Sequence, residues 1–149
     1  MFSIAASLVL LMSPGWCNAQ LALYGINHSN IGAADNHGGI FRYVPSTNTY
    51  TTLYFGSVAD GNKISGMVRV GNLLYGTTSE EGAYNGGTIF SFNLLNDSFT
   101  KLADFDSVSG RFPVDDMVYA PNGKLYGVTS GGGKGDRGVL FPLIHLQKP

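Results

Sequence analysis

The chain has 149 residues, a formal net charge of −1, 44% hydrophobic and 13% charged residues, and a single cysteine. This is the composition of one globular domain rather than of a disordered chain, and the lack of any Lys/Arg cluster removes the basic face that nucleic-acid binding requires. With 21 glycines among many Tyr, Phe, Thr and Ser residues, and no amphipathic helical pattern, it predicts an all-β fold of short strands and glycine-rich turns.

At the amino terminus, Ile4 to Met12 is an apolar run too short to span a bilayer, followed by Ser13-Pro14-Gly15 and then Cys17-Asn18-Ala19. The pattern predicts a signal peptide over residues 1–19 with cleavage after Ala19, although Met1-Phe2-Ser3 carries no Lys or Arg; the alternative is a buried apolar element at the start of the fold. Cys17 falls inside the leader. The remaining domain, 20–149, would then be secreted or held in the cell envelope, without a membrane span, and stabilised by packing instead of disulfides.

From residue 23 onward the chain repeats. Leu-Tyr-Gly occurs at Leu23-Tyr24-Gly25, Leu74-Tyr75-Gly76 and Leu125-Tyr126-Gly127, so each tyrosine lies 51 residues after the last. The repeats run 23–73, 74–124 and an incomplete 125–149. Within the complete unit, strands are expected around residues 73–79, 88–94, 99–105 and 116–120, with turns at Asn96-Asp97 and Pro121-Asn122-Gly123. The copies align at Gly38 with Gly87, Phe41 with Phe90, Tyr50 with Phe99, Leu53 with Leu102 and Met67-Val68 with Met117-Val118, and the third supplies Gly138 and Phe141. Four short strands in a period near 50 residues describe one blade of a β-propeller. The fold class expected is therefore all-β, a partial β-propeller of about two and a half four-stranded blades.

Neighbouring apolar residues such as Leu74-Tyr75, Ile89-Phe90, Val118-Tyr119 and Leu140-Phe141 break strict alternation, so both faces of these strands require cover, as adjacent blades provide. The glycine after each tyrosine implies either close approach of the next blade or a bulge, and the sequence leaves both open.

The strings Leu74-Tyr75-Gly76-Thr77-Thr78-Ser79, Asn85-Gly86-Gly87-Thr88-Ile89-Phe90 and Phe99-Thr100-Lys101-Leu102 with Phe105 resemble the repeat of the bacterial choice-of-anchor tandem-repeat GloVer-containing proteins. The likeness spans nearly all of residues 23 to 141. It implies a secreted, propeller-like repeat protein and brings no catalytic residue or cofactor with it. Relatives carry more copies, and no carboxy-terminal anchoring segment is evident after Phe141. Kelch and WD40 repeats fit less well, because the one tryptophan is Trp16 in the leader.

Two and a half blades do not close a ring. The expectation is therefore self-association of two or more copies to complete one, or else derivation from a longer propeller. Strand direction places the long connections, 27–38, 78–87, 129–138, 56–63 and 106–113, on one face. Candidate binding residues there are Asn27, His28, Asp35, His37, Glu81, Tyr84, Asp136 and Arg137, a set able to meet sugar hydroxyls. Turn chemistry alone also accounts for these residue types, and that plainer reading carries more weight.

Several apparent motifs fail on context. Gly133-Lys134-Gly135-Asp136-Arg137-Gly138 fits a dinucleotide fingerprint but leads into a strand, and Lys134 lacks the Ser or Thr of a Walker loop. His28, Asp35 and His37 match no zinc spacing, and Asp104-Phe105-Asp106 no calcium loop. No metal and no cofactor are expected. Three functions remain: a non-catalytic secreted module binding polysaccharide or a cell-surface protein, a glycan hydrolase or lyase using carboxylates on the long-loop face, and a structural spacer.

Overall fold

The computed structural model describes residues 21–27 and 37–144. The predicted signal peptide with Gln20, residues 28–36 and residues 145–149 lie outside them. Ten strands form, in order β1 (Leu23–Asn27), β2 (Gly39–Val44), β3 (Thr49–Phe55), β4 (Asn62–Val70), β5 (Leu73–Glu80), β6 (Thr88–Asn93), β7 (Ser98–Asp104), β8 (Arg111–Tyr119), β9 (Lys124–Gly131) and β10 (Leu140–Ile144), with no α-helix among the described residues. All pairings are antiparallel. They make three sheets, ordered β1-β2-β3, β4-β5-β6-β7 and β10-β9-β8.

The expected strands are present with one revision. β8 begins at Arg111, five residues before the predicted start at Asp116, because Arg111 and Pro113 pair with Gly131 and Thr129 before the register shifts between Val114 and Val118. The shift absorbs Asp115 and Asp116, which lie between the two paired stretches.

Each sheet covers its neighbour. Tyr24, Ile26 and Ile40 of the first sheet pack against Ile64, Met67, Leu74, Phe90 and Phe92 of the second. On its opposite side the second sheet packs Tyr75 and Ile89 against Met117, Leu125 and Phe141 of the third, with Phe105 from the connection between them. The middle sheet is thus covered on both faces, and β5 is almost continuously buried. β9, carrying the same Leu-Tyr-Gly motif, instead alternates between buried and more exposed positions. Expected cover on both faces holds for the middle sheet only: Val118 and Leu140 in the third are 65% and 67% exposed.

Side chains also bridge the second and third sheets. Ser65 Oγ donates to the Pro113 carbonyl at 2.9 Å, and Asp116 Oδ1 accepts from the backbone N–H of Met67 at 2.8 Å. Between the first and second, the Tyr54 and Phe99 rings stack with centroids 3.9 Å apart.

The repeated glycine has a nearer cause than either expected one. Gly25, Gly76 and Gly127 pair across their own sheets with Phe41, Phe90 and Phe141. An added Cβ would lie 2.5, 2.4 and 2.3 Å from the Cζ of those rings. The phenylalanine folds over the bare backbone of the adjacent strand, an arrangement that fixes register and shields the glycine. Register shifts do lie beside this position, opposite Gly127 between Val114 and Val118 and next to Gly76 between Ile64 and Gly66, but the atom nearest to an added Cβ at each glycine belongs to the phenylalanine ring.

Candidate functional site

Among the described residues the connections 56–63, 78–87, 106–113 and 129–138 lie along one side, while most of the 27–38 connection falls outside the described residues. Gly82 donates its backbone N–H to the Val58 carbonyl, and the equivalent Gly133 to Ser107, so each β-hairpin loop rests on the connection that enters its sheet. The short turns lie at the opposite strand ends, where Leu94 donates to the Asn72 carbonyl.

The 80–87 and 131–138 loops share a backbone trace. Gly87 donates to the Glu81 carbonyl and Gly138 to Gly132, and positive φ values recur at Glu81, Gly82, Asn85 and Gly87 and at Gly132, Gly133, Asp136 and Gly138. Glu81, with φ of 62°, therefore holds a left-handed conformation that the next repeat gives to Gly132, with φ of 80°. A glutamate there costs about 1 kcal/mol relative to glycine.

That glutamate meets His37. Oε2 of Glu81 lies 3.2 Å from His37 Nε2, and the two side chains are only 27% and 12% exposed. The contact is ion-pair close but not aligned as a hydrogen bond, leaving Glu81 Oε2 and His37 Nδ1 buried without hydrogen-bond partners among the described residues. In the next repeat the position of His37 falls on Gly86, where a Cβ would meet the Phe105 carbonyl oxygen at 2.6 Å. The His–Glu pair thus occurs at the first inter-sheet junction, whereas the corresponding positions of the second hold two glycines.

The other sequence-predicted residues are dispersed. Asn27 ends β1, its Nδ2 lies 3.4 Å from Tyr50 Oη, and its Oδ1 is buried without a partner among the described residues. Tyr84 projects from its loop tip, 67% exposed. Asp136 is tied into its own loop: Arg111 donates to Oδ2 at 2.7 Å and the Gly132 N–H to Oδ1 at 2.6 Å, which together hold its carboxyl below the usual carboxylate range. Arg137 is exposed on the same loop. His28 and Asp35 lie outside the described residues.

Residues 15–146 match the model of the Gloeobacter/Verrucomicrobia repeat. The chain belongs to that repeat family. The match covers all three described sheets of this GloVer protein, which agrees with the 51-residue interval. Comparison with curated proteins returns no match.

Sequence reasoning gave no structural role to the carboxylates lining the same side of the GloVer unit. Tyr54 Oη and Ser57 Oγ both donate to Asp60 Oδ2, at 2.8 and 2.7 Å, and burial with that carboxylate raises the phenol well above its ordinary pKa. Burial works against ionisation of Asp104, yet the Ala83 N–H at 2.8 Å and the Lys101 ammonium hold its carboxyl low. Asp106 is held low by the N–H and hydroxyl of Ser109 and the N–H of Val108. Glu80 pairs with Lys63. One signal was legible: cross-strand register puts Tyr54 opposite Ile40 where Ala103 stands opposite Ile89, a break in the repeat. Among the described residues no group of three or more His, Cys, Asp or Glu could hold a metal ion.

Proposed function

We propose that the three sheets are propeller blades and that the protein is an exported, non-catalytic binding module whose loop-bearing side engages polysaccharide. The blade reading is supported by serial face-to-face cover of the sheets and by β4 and β8, each an edge strand of its sheet, lying directly against one another. Export rests on the leader-like amino terminus.

The observation that carries the binding reading is the His37–Glu81 pair. A largely buried polar pair, with Glu81 in a strained left-handed conformation, stands where the next repeat has glycine, a departure from the repeat. The pair keeps part of its surface open, 27% for Glu81 and 12% for His37, where ligand hydroxyls can meet it, and the exposed Tyr84 ring on the Glu81 loop offers a sugar-stacking face. Binding is favoured over hydrolysis because Asp60, Asp104, Asp106 and Asp136 are each engaged in turn or junction hydrogen bonds rather than paired across a cleft.

A glycan array probed with the purified chain tests this, followed by His37→Ala and Tyr84→Ala. A saccharide bound by the parent and lost in both variants is expected. An empty array, or binding indifferent to both substitutions, refutes the reading.

A further inference from the structure

We propose that the uncovered face of the third sheet docks onto the uncovered face of the first sheet of a second copy of this chain, head to tail. The inference rests on the blade reading above.

The repeat itself shows what belongs on the third sheet. Its outward face presents Val114, Val118, Tyr126, Val128, Leu140 and Pro142, joined by the cross-strand rows Val114–Val128–Leu140 and Val118–Tyr126–Pro142. Val128 and Leu140 are 43% and 67% exposed. In the second sheet the same positions are Tyr75, Thr77 and Ile89, exposed by 5%, 1% and 7%, and what covers that face is the third sheet. In the first sheet they are Tyr24, Ile26 and Ile40, and what covers them is the second sheet. One face of the repeat is thus buried twice by the next repeat, and on the third occasion none of the described sheets covers it. A row of branched aliphatic residues at the surface of a low-charge protein is a docking surface rather than a solvated face.

The complementary half is present at the other end. The face that the second sheet turns to the first carries Leu74, Phe90 and Phe92, all essentially inaccessible, and the third sheet repeats this with Leu125 and Phe141. Their counterparts in the first sheet are Leu23, Phe41 and Tyr43, only half-buried, with the 54%-exposed Tyr50 stacked on Phe41 at 4.8 Å. Each copy therefore carries both sides of the junction that it uses internally twice. Contacts between different faces of identical chains are heterologous and close when the rotation permits, and two copies supply six sheets, within the usual range of about four to eight blades.

Sedimentation velocity of the purified chain over a micromolar concentration series tests the proposal. The parent is expected as a dimer. Leu140→Lys on the third sheet and Tyr50→Lys on the first should each weaken dimerisation by about a hundredfold, because an unpaired ammonium would be buried in an apolar junction. Circular dichroism checks that they fold, and Val118→Lys replaces Leu140→Lys if it does not. An equimolar mixture of the two lysine variants should recover dimer, since one intact junction can form between them. A monomeric parent overturns the proposal and assigns the open face to a sheet of another protein or a further repeat. Insensitivity to Tyr50→Lys, or no recovery on mixing, overturns the head-to-tail geometry. Dimerisation with an empty glycan array would sink only the binding reading, and a glycan-binding monomer only this one.

Discussion

Replacing Gly76 by alanine should destabilise the protein although Ala is the better strand residue on conformational grounds. The new Cβ would lie 2.4 Å from Phe90 Cζ and 2.8 Å from the Gly66 carbonyl oxygen, where carbon contacts settle near about 3.5 Å. The ring must retreat by about an ångström, but Phe90 is fully buried and stacks on Phe99 at 4.9 Å. Gly66 has no slack either, since its own Cβ position is 2.2 Å from Asp116 Oδ1. Overpacking of this kind costs about 1–3 kcal/mol, and the lost freedom of glycine in the unfolded chain returns about 0.4–1 kcal/mol. A net loss of about 2 kcal/mol is expected for Gly76→Ala. The same substitution at Gly127 should cost less, because Phe141 lies in an edge strand at 8% exposure, and at Gly25 least, because Phe41 is half-buried on an open face. Urea unfolding followed by far-ultraviolet circular dichroism measures the series, and Phe90→Leu in the Gly76→Ala background should recover part of the loss. Equal costs at the three positions, or Gly76→Ala within about 0.5 kcal/mol of the parent, would refute the ring-over-glycine account.

Asp116→Ala removes the acceptor for the Met67 N–H and should cost about 1–3 kcal/mol by urea unfolding, with the second and third sheets loosened first in hydrogen exchange. Glu81→Gly relieves a left-handed glutamate and should leave stability within about 1 kcal/mol of the parent while abolishing glycan binding, so retained binding would remove Glu81 from the site. Tyr54 and Tyr75 have phenol pKa values raised above 10.0 in the folded protein, Tyr54 by burial and Asp60, Tyr75 by burial. Their contribution to stability is complete below pH 10 and is lost as pH climbs above it; spectrophotometric titration should show Tyr54 ionising only as the chain unfolds.

Much of the fold was legible in the sequence. The 51-residue interval, the strand at Thr88–Asn93 bounded by Gly87 and Asn96-Asp97, and the collection of long loops on one side follow from period, turn residues and strand alternation, all short-range signals. The candidate site was legible only as a set. His37 and Glu81 were both placed on the loop side, but their 3.2 Å approach joins residues 44 apart in sequence and depends on how the first sheet sits on the second. Asp136, which looked equally available, is consumed by its own loop through Gly132 and by Arg111.

By itself the sequence determined that one β-unit recurs and where its strands and turns fall, because hydrophobic pattern and glycine placement act within a few residues. Only tertiary structure decided what each copy buries. Tyr75 and Tyr126 occupy the same place in the same motif, yet the first is enclosed because a further sheet lies over it and the second is half-buried because none of the described sheets does. The ring that closes over each glycine was decided there too, since pairing between β5 and β6, rather than anything adjacent in the chain, brings Phe90 onto Gly76.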